Sequence, residues 1–146
     1  MIRRQIEWFD SMNKKILIVD DDKDLVDTLE MALKSTGFKT CAAYSANEGL
    51  QKLQSEKPDL IILDVMMETD TAGFEFAFQV RNKRETSKFK EFIDVPIIIL
   101  TAINQSTNSR FSLDEEESFL PKIEKFLTKP INIDELMNYV KECLDV

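Results

Sequence analysis

The chain contains no histidine among its 146 residues. This absence excludes imidazole acid–base catalysis, Ser-His and Cys-His nucleophile pairs, and imidazole metal ligands. It also means that this sequence cannot itself carry a phosphohistidine. Any reactive chemistry must therefore use carboxylates, lysine, hydroxyl groups or a hard cation.

Cysteine is scarce as well, and the two cysteines that are present do not form a motif. Cys41 and Cys143 lie far apart and have no metal-binding spacing. We interpret both as reduced thiols of the core, as is typical of a cytosolic protein. No apolar run is long enough for a transmembrane helix, and residues 1–10 lack the apolar stretch of a secretion signal. The sequence thus favours a cytoplasmic protein that does not associate with membranes.

Positive charge is in deficit, because 19 basic residues stand against 27 acidic ones and give a net charge of −8. This balance argues against electrostatic binding to nucleic acid or to an anionic membrane. The hydrophobic fraction of 43% and the charged fraction of 32% are typical of a soluble globular protein. A chain of this length can bury one proper core but hardly two, so we expect one domain.

Short apolar segments alternate along the chain with stretches of helical spacing. The predicted strands cover residues 15–19, 38–43, 59–63, 95–100 and 125–128. The predicted helices cover 22–36, 45–55 and 73 to about 92, and a last helix opens at Asn132. Ser45 with Glu48, and Asn132 with Glu135, have the spacing of capping boxes. This alternation predicts an α/β fold, a doubly wound parallel sheet of five strands with helices on both faces.

Three segments stand apart from this pattern. Between Thr101 and Lys125 the chain is polar and turn-like, so we expect the helix that should precede the fifth strand to be short, irregular or disordered. The charged run 83–90 is interpreted as a solvated face of the third helix. Residues 1–13 are expected to form an N-terminal extension, which precedes a domain over residues 14–146.

Polar side chains follow four of the predicted strands where each strand ends. In parallel α/β sheets these carboxyl ends meet at one edge, which is where ligands bind. Carboxylates gathered there repel one another unless a cation compensates them, and a site with few carboxylates suits Mg²⁺. The residues at these ends are Asp20, Asp21 and Asp22 after the first strand, Asp64 after the third, Thr101 after the fourth and Lys129 after the fifth.

Lys129 and Thr101 add the groups that a tetrahedral anion would need, a fixed positive charge and a hydroxyl donor. An aspartate, a metal, a lysine and a hydroxyl form a minimal site for making and hydrolysing an aspartyl phosphate. Each residue also has an ordinary structural interpretation, such as a helix N-cap for Asp20 or Asp22. Their occurrence together at four strand ends favours the functional interpretation.

These residues resemble the receiver domain of two-component response regulators, including the single-domain chemotaxis type. The matching segments are 16–22, 58–67, 96–102 and 126–130, and the resemblance spans residues 14–146. It implies a flavodoxin-like sheet with strand order 2-1-3-4-5. It also implies that Asp64 is the phosphoacceptor, with self-catalysed phosphorylation and dephosphorylation in place of a true enzymatic activity.

The resemblance further implies a role for each of the remaining site residues. Asp20 and Asp21 would hold Mg²⁺ together with Asp64, and the backbone carbonyl of Met66 would be a further ligand. Lys129 would pair with the phosphoryl oxygens, and Thr101 would bond them in the active state. The aromatic ring of Phe126 would change its packing when Thr101 moves.

The resemblance also implies a phosphohistidine donor as partner, either a histidine kinase or a histidine phosphotransfer protein. Residues 22–29 and 130–131 would dock this donor, and the downstream target would be a further protein.

Two departures from the family pattern accompany these expectations. Glu68 stands where the family usually has proline, and Gly73 comes one residue late, so that Glu68 and Asp70 are expected to add negative charge near the site. The stretch between Thr101 and Lys129 is longer than usual and lacks the customary Gly-Ala pair.

Three other interpretations compete with that of a phosphoaccepting receiver. A haloacid-dehalogenase-like phosphohydrolase would use Asp20, Asp22, Thr101 and Lys129, but no acidic pair follows a later strand and Asp64 would have no role. A calcium loop beginning at Asp20 fails, because the required glycine and closing glutamate are missing. A receiver that no longer accepts phosphate is disfavoured by the complete set of site residues.

Overall fold

The computed structural model describes residues 13–102 and 121–146, in which strands and helices alternate. The strands are β1 (Lys15–Val19), β2 (Lys39–Ala43), β3 (Leu60–Asp64), β4 (Ile97–Thr101) and β5 (Lys125–Thr128). The α-helices of the described residues are α1 (Lys23–Ser35), α2 (Ala46–Glu56), α3 (Ala72–Val80) and α4 (Ile133–Leu144), and one 3₁₀ turn covers Lys90–Phe92.

The strands form one parallel sheet, as their alternation with helices predicts, and their order β2-β1-β3-β4-β5 is the one that the resemblance implies. The register brings the carboxyl ends of the inner strands level with one another. Val19 pairs with Leu63, and Thr101 pairs with Thr128. The residues that follow these strands therefore lie along one edge of the sheet.

The inner strands are buried on both faces because their apolar side chains alternate between two hydrophobic clusters. In β1, Leu17 and Val19 pack on the side covered by α2 and α3, and Ile16 and Ile18 pack on the side covered by α1 and α4. Every residue of β3 and β4 is buried. This two-sided burial explains the nearly continuous apolar runs in the sequence.

The predicted helix starts at Asp22, Ser45 and Asn132 are confirmed as N-caps. Each of these side chains accepts a hydrogen bond from the backbone N–H three residues further on. The bond satisfies one of the donors that a helix N-terminus leaves without an intrahelical partner. Short polar side chains therefore fix where α1, α2 and α4 begin.

The prediction for the third helix was wrong in its length. The helix α3 ends at Val80, and the charged residues of the run 83–90 are exposed but lie outside any α-helix. Residues 82–88 offer no apolar side chain to pack on the sheet. Instead, Asn82 accepts a hydrogen bond from the N–H of Arg84, and Ser87 accepts one from Phe89. Such local side-chain bonds compete with helix formation, and no buried face compensates for the loss.

Two predictions lie outside the described residues, namely the irregular helix within 103–120 and the extension, of which residues 1–12 are not described. Within the described ranges, no helix is long and apolar enough to cross a membrane. Cys41 and Cys143 are both free thiols and partly buried.

Candidate functional site

Three aspartates converge at the carboxyl edge of the sheet. Asp20 and Asp21 directly follow β1, and Asp64 is the last residue of β3. One carboxylate oxygen from each of the three lies within 4.8 Å of the others. Asp20 is fully buried and Asp64 is 6% exposed, whereas Asp21 is exposed.

Lys129 places its ammonium group between the two buried carboxylates. Its Nζ lies 3.1 Å from Asp20 Oδ2 and 3.3 Å from Asp64 Oδ1. The backbone fixes this position, because the N–H of Lys129 donates to the carbonyl of Thr101 at 2.7 Å. The end of β5 is thereby tied to the end of β4, and the lysine reaches across to β1 and β3.

The protonation behaviour of the site reflects burial and crowding of negative charge. Burial and then the charge of Asp20 raise the pKa of Asp64 to about 6, although Lys129 opposes the shift. Burial also raises the pKa of Asp20, against the N–H of Asp22 and the charge of Lys129. Burial alone would lower the pKa of Lys129, but Asp20 and Asp64 raise it above its ordinary value. One ammonium thus faces two buried carboxylates, and the site retains excess negative charge.

The donor set fits a hard divalent cation. Asp20 Oδ1 accepts the N–H of Asp22 at 2.9 Å. Its other oxygen, Oδ2, is the one buried side-chain oxygen or nitrogen of the described residues that lacks a hydrogen bond, and its close neighbour is the Lys129 ammonium. A lone pair left in this way beside two further carboxylates is a suitable ligand for Mg²⁺, which prefers oxygen.

Thr101 and Met66, which the sequence also predicts for the site, lie along the same edge. Thr101 ends β4 and is 6% exposed, and Met66 follows β3 by two residues and is 40% exposed. Phe126 pairs in β5 with Ile99, two residues before Thr101, and packs partly buried against the cluster on the α2 and α3 side. The edge therefore holds the predicted aspartates with Met66, Thr101 and Lys129, whereas Phe126 lies within β5.

Glu68 makes a contact that the sequence did not predict. Its carboxylate accepts the N–H of Ala46 at 2.8 Å and the N–H of Asn47 at 3.1 Å, so it binds the first turn of α2. Burial would raise the pKa of Glu68, but backbone hydrogen bonds from Ala46, Glu68 and Asn47 lower it below its ordinary value. The contact joins residues 22 positions apart, and no local pattern signals it.

Gly73 is a second residue whose role the sequence left open. Its N–H donates to the carbonyl of Val65 at 2.8 Å, which folds the start of α3 back against the end of β3. A Cβ at this position would overlap the carbonyl oxygen of Asp64 and would lie 2.8 Å from Cα of Val65. Glycine is therefore required for the close approach of α3 to the residue at the centre of the site.

Solved structures with this fold come from several signalling proteins. A two-component response regulator from Clostridium difficile is 29% identical, with 91% of this chain and 97% of that chain covered and a TM-score of 0.72. A CheY-like response regulator receiver domain from Methanospirillum hungatei JF-1 is 28% identical, with 90% and 94% covered and a TM-score of 0.69. The receiver domain of a signal transduction histidine kinase from Syntrophus aciditrophicus is 26% identical, with 90% of each chain covered and a TM-score of 0.73.

The sequence itself matches the family model of the response regulator receiver domain over residues 16–141. This match covers nearly all of the 146 residues and agrees with the sheet order and with the acidic edge of the sheet. The chain therefore belongs to the response regulator receiver domains, the phosphoacceptor signalling modules of two-component systems.

Proposed function

We propose that Asp64 accepts a phosphoryl group from a phosphohistidine donor in a Mg²⁺-dependent reaction. The observation that carries this proposal is the convergence of Asp20, Asp21 and Asp64 on one edge of the sheet with Lys129 among them. A nucleophilic carboxylate, a cation site and a fixed ammonium are the groups that phosphoryl transfer requires.

In the proposed reaction, a carboxylate oxygen of Asp64 attacks phosphorus while the P–N bond to the donor imidazole breaks. The imidazole leaves with its electron pair and takes a proton from solvent. Lys129 neutralises charge on the transferred oxygens. Asp20, Asp21 and Asp64, with the backbone carbonyl of Met66, would hold Mg²⁺, which supplies further positive charge for the phosphoryl group when it is bound.

We further propose that phosphorylation is read out through Thr101 and Phe126. The Thr101 hydroxyl would bond the phosphoryl group, and Phe126 would repack as the threonine moves. Support comes from their positions, since Thr101 is nearly buried at the same edge and Phe126 lies on the neighbouring strand. The repacking would alter the binding of a downstream protein.

The donor histidine must lie outside this sequence, which has none. We propose a histidine kinase or a histidine phosphotransfer protein as donor, docking on residues 22–29 and 130–131. We propose that residues 14–146 form the functional domain and that it acts in the cytoplasm. The net charge of −8 supports the further proposal that it binds neither nucleic acid nor an anionic membrane.

The test is intact-mass spectrometry after incubation with acetyl phosphate and Mg²⁺. The native chain should gain a single phosphoryl group, and Asp64→Asn should gain none. Chelation of Mg²⁺ should abolish the adduct on the native chain. A phosphohydrolase would instead turn over a generic phosphate ester and be inactivated by Asp20→Asn, and a receiver that accepts no phosphate would show no adduct at all.

A further inference from the structure

We propose that Glu68 is a positioning residue that fastens the segment after the phosphoacceptor to the first turn of α2, and thereby holds the cation site in shape. The segment, here called the β3–α3 loop, comprises residues 65–71. This inference rests on the proposed function, because it assumes that the carboxylates around Asp64 bind a divalent cation.

The contact uses both oxygens of the Glu68 carboxylate. Oε1 accepts the N–H of Ala46 and Oε2 accepts the N–H of Asn47, while Ser45 Oγ accepts the next amide, that of Glu48, at 3.0 Å. The first three amides of α2 are therefore satisfied by side chains, two of them by a residue from another part of the chain. A negative charge at this position also interacts favourably with the helix dipole.

Among the described residues, the middle of the β3–α3 loop contacts the rest of the domain in two ways. The partly buried side chain of Met67 packs against the apolar cluster on the α2 and α3 side, and Glu68 binds α2. At the start of the loop, the N–H of Val65 donates to the carbonyl of Leu100 at 3.3 Å. Glu68 accepts two hydrogen bonds from α2. The other hydrogen bonds made by residues 67–71 within the described part of the chain stay inside the loop or reach into α3. The backbone of Met66 thus lies between two anchored residues, namely Val65, which is bonded to β4, and Glu68, which is bonded to α2.

This arrangement has a consequence for the carbonyl of Met66, the expected backbone ligand of the cation. Met66 directly follows Val65, and only Met67 separates it from Glu68. Without the two bonds between Glu68 and α2, the segment that carries this carbonyl loses its hydrogen-bonded anchor after Met66 and keeps the packing of Met67. Substitution of a residue that orients a metal ligand commonly costs about 10–100-fold in affinity. By linkage, cation binding should also strengthen the contact between Glu68 and α2.

An ordinary helix cap is the competing explanation of the contact, and the chain offers matched controls for it. Ser45→Ala removes a cap from the same helix without touching the loop. Asp70→Asn removes the same charge from the same loop, and Asp70 is exposed and makes no side-chain hydrogen bond with the described residues. Glu68→Ala removes both bonds, and Glu68→Gln keeps the shape and one acceptor should the alanine variant fold poorly.

The experiment measures Mg²⁺ affinity by calorimetry and the hydrogen exchange of the Ala46 and Asn47 amides with and without Mg²⁺. Glu68→Ala should weaken Mg²⁺ binding about 10-fold, with a smaller loss in Glu68→Gln, while Ser45→Ala and Asp70→Asn stay within about 2-fold of the native chain. Mg²⁺ should slow exchange of the two amides in the native chain and in Asp70→Asn, but not in Glu68→Ala.

Two results would overturn the inference, and they differ in whether the proposed function also fails. If the native chain binds Mg²⁺ and Glu68→Ala binds it equally well, Glu68 is only a helix cap and the proposed function survives. If the native chain binds no Mg²⁺ and the exchange of Ala46 and Asn47 does not respond to it, both the inference and the proposed function fail.

Discussion

The environment of Asp64 disfavours ionisation of its carboxyl group, and this affects the free energy of unfolding of the domain. Its pKa in the folded protein is raised from 3.8 to about 6 by burial and by the charge of Asp20. The folded chain therefore binds this proton more tightly than the unfolded chain does. As the pH rises from about 4 to about 6, ionisation of Asp64 lowers the free energy of unfolding.

We therefore expect Asp64→Asn to be more stable than the native chain at pH 7.5 in the absence of divalent cations. An asparagine resembles the protonated carboxyl, so the gain should be on the order of 2–3 kcal/mol at pH 7.5 and should largely vanish near pH 4. Urea denaturation at both pH values, in the presence of a chelator, measures the difference. Asp70→Asn is the control for an exposed carboxylate and should change little. Equal stability of the native chain and Asp64→Asn at pH 7.5 would contradict a raised pKa of Asp64 in the folded protein.

We expect a substitution at Thr101 to separate uptake of the phosphoryl group from the conformational response. Thr101→Ala should still form the adduct with acetyl phosphate, since Asp64 and Lys129 remain, but the phosphorylated variant should lose the change at Phe126. Aromatic NMR signals of Phe126 with and without the phosphoryl group measure this response. Thr101→Ser retains the hydroxyl and should keep it. A full response in Thr101→Ala would remove Thr101 from the switch.

The residues at the strand ends could be selected from the sequence because each follows a recognisable apolar strand. Asp64 and Lys129 needed only the rule that parallel strands share one carboxyl edge. The contact of Glu68 could not be predicted in this way, because its partners on α2 are 22 and 21 positions away and depend on how the loop folds back. Side-chain direction within a loop is a tertiary property that spacing does not encode.

At the scale of the elements, the placement of α3 depends on a single small residue, Gly73. Gly73→Ala should destabilise the domain, because the new methyl group meets the backbone of Asp64 and Val65 rather than a flexible side chain. Overpacking of this kind costs about 1–3 kcal/mol, and it should also reduce phosphoryl uptake by displacing Asp64. Urea denaturation and the acetyl phosphate assay test the two effects. Ala72→Gly at the neighbouring position is the control for altered helix propensity and should leave uptake intact.

The end of α3 is tied to the start of β4 and β5 by a partly buried charge network. The Arg81 guanidinium donates to the carbonyls of Ile93 at 2.9 Å and Lys122 at 3.0 Å, and pairs with Glu124 at 3.0 Å. Glu124 also accepts the N–H of Ile97 at 2.8 Å. Burial lowers the pKa of Arg81, although Glu124 opposes the shift.

Arg81→Met should destabilise the domain by about 2–3 kcal/mol, because two carbonyls lose their donor and Glu124 loses the guanidinium, which leaves the exposed Lys122 ammonium at 3.8 Å as its ion-pair partner among the described residues. Adding Glu124→Gln should recover part of the loss, since glutamine can still accept from Ile97 without retaining the negative charge that the guanidinium balanced. Thermal or urea unfolding of the two single variants and the double variant measures the coupling. Simple addition of the two single losses would show that the pair is not coupled.

The network also explains why the third helix is shorter than its sequence pattern predicts. Arg81 has the spacing of one more helical residue, but its side chain is nearly buried and its guanidinium is bound to residues that precede β4 and β5. The chain must leave the helix there to place Ile93 and the start of β4. Helical spacing up to Val80 was visible in the sequence, whereas this long-range attachment was not.

At the scale of the whole molecule, the sheet was the most predictable feature. The buried runs of β1, β3 and β4 admit few alternatives, and right-handed crossovers then bring their carboxyl ends together. Strand order came from the resemblance to the receiver family, and the structure confirms it. The contacts that the sequence did not anticipate, at Glu68 and Arg81, join separate elements around this sheet.

The central claim is that Asp64, among three neighbouring aspartates, is the one that takes the phosphoryl group. The most direct measurement is to treat the chain with acetyl phosphate and Mg²⁺, reduce the acyl phosphate with borohydride, and map the product by tandem mass spectrometry. Reduction converts a phosphorylated aspartate into homoserine. The account predicts homoserine at position 64 alone, and homoserine at position 20 or 21, or at no position, would contradict it.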